Sequence, residues 1–276
     1  EYTITYSLAD GPAVVTLDIE TNAPGGAWIS IGGQNISGGT IDRGMPRGDV
    51  NKIVESGSRT ITWRPDVAWG DQVISENGAR AVVTAWAPND TPDYLVVDLA
   101  KTSAERCRYY TGPEWLPGGL MKNEAYRTTK LVMRKIRAKD VEWTMGSTGE
   151  SGRSGDEVSH SVSLDHNFYC GVFEITKTQF ESIRTDMTGI THNNYPAFPV
   201  QGAMRPRTRC TYREIRENAN GTEGTDYWYP NDPGPTSFLG CLRTRTGSRR
   251  PRRRSARNSR SSASASSARR RRSTGL

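Results

Sequence analysis

The fold class expected from the sequence is a mainly β amino-terminal sandwich, followed by an α+β unit and a basic, unstructured tail. Three observations predict it. At least six short alternating runs precede residue 100, a helix start signal stands at Thr176, and Arg and Ser dominate from residue 248 onward.

The first unit, residues 1–100, is read strand by strand. Tyr2-Thr-Ile-Thr-Tyr6 alternates and is rich in β-branched and aromatic residues. Asp10-Gly11-Pro12 is a turn signal. After it, Ala13–Thr21 puts Val15, Leu17 and Ile19 on one face. Ala27–Ile31, Arg59–Trp63, Ala81–Trp86 and Tyr94–Leu99 complete the set, separated by Gly, Pro, Asn and Asp. Regular spacing without a 3.6-residue period argues for a β-sandwich. The glycine-rich stretch Gly32–Gly48 has no GxGxxG leading into a helix, so it is read as a loop. This unit offers no site signal above a scaffold.

Residues 101–142 read as a connector. Tyr109-Tyr110 and Trp115–Gly119 look like loop and turn. Tyr126–Ile136 looks like a strand with Leu131 and Met133 opposite Val132 and Arg134. In 143–247, Trp143–Ser147 runs into a turn and Thr148–Val158 is a polar loop. His160–Asp165 alternates with Val162 and Leu164 inward, and Phe168–Phe173 is strand-like. Thr176-Lys-Thr-Gln179 fits a capping box. Phe180 and Ile183 then share the inner helix face, and Ile175 can staple to Phe180. Further helices are expected over Tyr212–Asn218 and Thr236–Thr246.

Composition narrows the function. The 276 residues carry a net charge of +7, but 248–276 hold 11 Arg and no acid, leaving 7 − 11 = −4 for the body. A nucleic-acid argument would therefore rest on the tail alone, and the tail has no aromatic residue for base stacking. No apolar run reaches the roughly 18 residues of a membrane span. The tail is too poor in apolar residues to offset ordering entropy and is expected to be disordered. The chain opens on Glu1 directly into a strand, which reads as a mature chain or one whose leader is missing.

The second unit resembles the sulfatase-modifying factor family, whose type member is the formylglycine-generating enzyme. The motif residues are Met145, Gly146 and Ser147 in a turn, then the acidic Glu157, then His160 and Val162 on a strand. Phe168, Glu174, Thr176, Gln179 and Phe180 follow at a strand-to-helix junction, with Phe198-Pro-Val200 beyond. The stretch from Tyr229-Pro-Asn-Asp232 through Gly247 looks like a bacterial branch in which a β-rich domain precedes the enzyme-like one. The resemblance covers 143–247. It implies a C-type-lectin-like α+β fold and O₂-dependent oxidation of a substrate Cys to formylglycine. It also implies copper at a redox cysteine pair, structural calcium, and an exported protein, periplasmic or secreted. Glu174 is read as a structural corner in preference to a catalytic group.

The chain then departs from the family. A Leu-Pro-Thr-Glu-Ala segment is expected after the Arg-Thr-Gly stretch, with the copper-binding cysteines well beyond it. Here Arg250-Pro-Arg-Arg-Arg follows instead. Codons can be chosen for residues 250–259 so that a one-base shift reads Pro-Thr-Glu-Ala-Gln, so the tail is expected to be a frame-shifted translation. The domain is then truncated and inactive, no catalytic residue or cofactor is assigned, and apolar surface over Phe168–Phe180 and Phe238–Leu242 is expected to be bare.

The remaining candidates are weighed against ordinary readings. Cys107, Cys170, Cys210 and Cys241 are widely spaced and read as small core residues in preference to a copper site. His160, His166 and His192 lack metal-ligand spacing and read as loop or strand-end residues. Asp226, Asn231 and Asp232 could offer oxygens to calcium but lack EF-hand spacing. Asn35, Asn89 and Asn220 begin glycosylation triplets that arise readily by chance. Two further readings stay open: a non-catalytic lectin-like module for protein or glycan, and polyanion binding by the tail.

Overall fold

The structure, a computed structural model, describes residues 1–39, 43–75, 77–101, 104–152, 158–185, 202–207, 210, 215–216 and 234–246. It is β-rich and built of several antiparallel sheets. The helix expected over Tyr212–Asn218 falls almost wholly outside the described residues. Glu157, His192, Phe198–Val200, Asn220, Asp226, Asn231, Asp232 and the tail 248–276 lie outside them entirely.

Two sheets face each other at the amino terminus. In the first, β1 (Tyr2–Leu8) pairs with β6 (Gly57–Trp63), which pairs with β4 (Arg47–Gly48). In the second, β2 (Ala13–Asn22) is bordered by β3 (Trp28–Ser30), β5 (Lys52–Val54) and β7 (Ala79–Trp86). Val15, Leu17 and Ile19 point inward as their alternation predicts, and meet Leu8, Ile61 and Trp63 from the facing sheet. Val14 and Thr16, on the outer face of β2, are buried as well. The connector lies over them: Tyr109 donates its amide to Asn51 O at 2.8 Å, and Asn51 to Val15 O at 2.6 Å.

Three local expectations are corrected. The Gly32–Gly48 loop contains a helical turn, α1 (Gly33–Ser37), closed by Gly38 in the left-handed region. Tertiary bonds hold it where propensity would not. Gln34 Nε2 donates to Glu114 O and Leu116 O, each at 2.8 Å, and Trp63 Nε1 donates to Ile36 O at 3.0 Å. A Cβ on Gly33 would sit 2.5 Å from Trp115 Cα, so the close approach requires glycine. A second turn, α2 (Pro65–Ala68), starts on a proline after β6. Tyr109-Tyr110 belongs to a strand, β9 (Cys107–Tyr110), and the first residues of the expected Tyr126–Ile136 strand form a 3-10 turn capped by Asn123.

The second layer is a four-stranded sheet in the order β13 (Phe168–Gly171), β10 (Lys130–Ile136), β8 (Tyr94–Asp98), β9. β8, expected as the sixth strand of the amino-terminal sandwich, pairs instead with β10 and β9. Its Tyr-Leu-Val-Val run is buried on both faces, which suits a central strand. Val97 and Leu131 point to one face, where they meet Phe180, Ile183 and Phe238 of two helices. Those helices are α3 (Lys177–Ile183) and α4 (Phe238–Thr246). Val96 and Val132 point to the other face and meet Tyr110, Leu116 and Tyr126 of the connector. A separate hairpin, β11 (Glu142–Met145) with β12 (His160–Ser163), completes the described strands. No described helix is long and apolar enough to cross a membrane.

Candidate functional site

The motif residues divide between two places. The first is the junction between β13 and α3. Thr176 Oγ1 accepts the Gln179 amide at 3.2 Å and donates to Arg127 O at 2.7 Å. Gln179 Oε1 accepts the Thr176 amide at 3.0 Å, completing the capping box expected from the sequence. Gln179 Nε2 then donates to Tyr126 O at 3.1 Å and Lys130 O at 2.7 Å. One buried amide therefore ties the helix start to the connector and to β10. Ile175 packs against the cluster that holds Phe180, as a hydrophobic staple requires.

Phe180 stacks on Phe238 with ring centroids 4.9 Å apart and planes 1° from parallel. Arg207 lies 5.4 Å from the Phe180 centroid, and its guanidinium is 3.6 Å from Glu181, which also pairs with Lys177 at 2.9 Å. Backbone bonds from Lys177 to Arg205 O and from Arg207 to Ile175 O hold this segment beside the cap. Glu174 is exposed at the corner. The Thr176 and Gln179 side chains are committed to backbone partners, so the junction has bonding capacity for a scaffold and little for proton transfer.

The second place is the hairpin. Trp143 pairs with Val162 and Met145 with His160, which puts these four on one face; Glu142, Thr144, Ser161 and Ser163 occupy the other. Trp143 is 38% exposed and Met145 56%. Gly146 has φ +90°, and a Cβ there would meet Val158 O at 2.6 Å, so the Met-Gly-Ser turn needs its glycine. Ser147 Oγ is buried without a hydrogen-bond partner among the described residues. His160 Nδ1 donates to Val158 O at 2.8 Å. Phe168 on β13 is exposed, along with Ile136 and Val141. Bare apolar surface is thus concentrated here. The expectation that Phe180 and Phe238 would also be bare is corrected, because each covers the other against the central sheet.

None of the four cysteines is in a disulfide bond. Cys107 on β9, Cys210, and Cys241 on α4 pack against the apolar cluster under α3, while Cys170 on β13 is exposed. Burial pushes the Cys107 thiol above its ordinary value, against the pull of Arg106 and Arg108. His166 Nδ1 lies 2.5 Å from Asp165 Oδ1, in an exposed pair. Among the described residues, no three His, Cys, Asp or Glu side chains converge as metal ligands.

Among the described residues, sequence reasoning missed at least two concavities. A cavity of about 180 Å³ lies between the outer face of the second sheet and the connector, lined by Asp18, Thr84, Trp86, Tyr110 and Trp115. Burial raises the Asp18 carboxyl above its ordinary value, partly offset by the Ser30 hydroxyl donating at 2.7 Å. A larger groove opens at one end of the amino-terminal sandwich. The one sequence signal for it is the alternation of Ala79 and Ala81 on β7, small residues at inward positions. No protein-family description, curated protein or solved structure matches this chain.

Proposed function

We propose that residues 143–247 are the opening part of a formylglycine-generating-enzyme-like domain of C-type-lectin-like fold, and that this chain is inactive in the family reaction. The observation that carries the reading is the contrast within the motif residues. Thr176, Gln179 and Phe180 are built into a packed junction, whereas the apolar face of β11–β12 has little over it. An interrupted domain would leave such a hairpin, since two strands alone are marginal in water. The family reaction draws on copper to oxidise the substrate thiol with O₂. The cysteines present do not fit that metal: three serve as packing atoms around one apolar cluster, and the fourth stands on an exposed strand. Residues 248–276 are, in this reading, a shifted reading frame.

Sequencing the coding locus tests this. A one-base shift near residue 250 should restore Pro-Thr-Glu-Ala and a downstream cysteine pair. An uninterrupted gene that encodes the arginine block would overturn it. A restored frame without the cysteine pair would favour the second reading, a non-catalytic extracytoplasmic module binding protein or glycan; the bare Trp143 and Met145 side chains support that reading. Retention on DNA that falls with salt and vanishes on deleting 248–276 would instead support polyanion binding by the tail.

A further inference from the structure

We propose that the groove at the open end of the amino-terminal sandwich is a binding site for an uncharged carbohydrate chain. It lies outside the residues that carry the family resemblance, so the two readings fail independently. The alternation of β1 turns Tyr2, Ile4, Tyr6 and Leu8 toward the facing sheet. Burial along that row is graded, from Leu8 at 9% exposed to Tyr2 at 65%. Tyr2 pairs directly with the buried Trp63, so an inward-facing aromatic ring is left open to solvent. Opposite it, the inward positions of β7 are Ala79 and Ala81, in register with Thr21 and Ile19. Two methyl groups leave open the space that Val83 fills at the next inward position of β7. The result is a groove of about 750 Å³, within the range of small-ligand sites.

The lining has the chemistry of sugar recognition. Tyr2 and the half-buried Trp69 supply aromatic surface for the C–H-rich faces of pyranose rings, and the buried Trp63 forms the floor. At the rim, Asp71, Gln72 and Asn77 are exposed, and their side chains make no hydrogen bond to described residues. Together they offer both donors and acceptors to hydroxyl groups. Two further charged residues of the lining are paired with opposite charges. Asp66 is held by Arg64 at 2.5 Å, and Arg80 is held by Glu20 at 2.6 Å and lies 4.6 Å from the Trp28 ring centroid. An aromatic face, a hydrogen-bonding rim and a single lining cation already paired with Glu20 suit a neutral, polyhydroxylated ligand over a phosphate-rich or other anionic one.

The test is native affinity electrophoresis of the full chain through gels containing mixed-linkage glucan, xylan or galactomannan, with alginate as an anionic control. The expected result is retardation in at least one neutral gel, reversed by the matching soluble oligosaccharide. Tyr2→Ala should raise the apparent Kd at least about tenfold, and Gln72→Ala and Asn77→Ala by about three- to tenfold each. All three positions are exposed, so the variants should keep the wild-type unfolding transition. Absence of retardation in every neutral gel overturns the proposal. So does retardation that Tyr2→Ala and Gln72→Ala leave unchanged, retardation in alginate alone, or release by an extended peptide but not by the oligosaccharide.

Discussion

The β13–α3 junction and the β11–β12 hairpin both carry motif residues, yet they stand in opposite physical states. At the junction, Gln179 bonds three backbone groups, and Phe180 at 3% exposed stacks on Phe238 at 5%. At the hairpin, Trp143, Met145 and His160 line a face that is partly open to solvent, with Met145 at 56% exposed, while the opposite face is polar. Both segments are amphipathic. The difference is that β10 and β8 lie beneath the first, and no described element covers the second. A motif becomes a built structure only where tertiary packing offsets the entropy of ordering it.

Substitutions should separate the two regions sharply. Phe180→Ala removes one half of the ring stack and opens a cavity against the central sheet. It should cost about 3–5 kcal/mol in chemical denaturation. A cost below about 1 kcal/mol would break the comparison. Gln179→Ala leaves the Thr176 amide and two carbonyls without their partner and should cost about 2–4 kcal/mol. Gln179→Glu should not rescue it, because a carboxylate cannot donate to Tyr126 O and Lys130 O.

A smaller, pH-dependent effect should come from the strand pair beneath the junction. Burial alone would raise the Asp98 carboxyl, but its hydrogen bond and ion pair with Lys130 outweigh that and hold it below its ordinary value. A carboxylate depressed in the folded state contributes stability that is complete above its unfolded pKa, about 4, and is lost as pH falls through the folded value. Denaturation midpoints should therefore decline below about pH 4, and Asp98→Asn should flatten that decline. The smallest effect belongs to the hairpin. Met145→Ser should change stability by less than about 0.5 kcal/mol while reducing self-association seen by light scattering. A large destabilisation would mean that this face is packed after all.

Much of this was legible from residues in order. The alternation of Tyr2–Tyr6 and Ala13–Thr21 located β1 and β2, and Thr176 with Gln179 located the start of α3. These are signals of one strand or one helical turn. Features set by distant partners were not legible. Val14 and Thr16 look outward from a two-layer sandwich, and only the connector's return buries them. The alternation of Tyr94–Leu99 is equally good in either sheet, so its pairing with β10 could not be read. Arg47–Gly48 and Lys52–Val54 are too short to show a period. The groove lined by Tyr2, Trp69, Gln72 and Ala81 brings together segments far apart in sequence, so no one segment reveals it.

Native-state hydrogen exchange, resolved by residue, puts the contrast to the most direct test. The amides of Leu131 and Val132 in β10 and of Phe180 in α3 should exchange only on global unfolding. Those of Thr144 and Val162 in the hairpin should exchange through local opening, at least about a hundredfold faster. Equal protection in the two regions would mean that the hairpin is as firmly built as the junction, and would contradict the account.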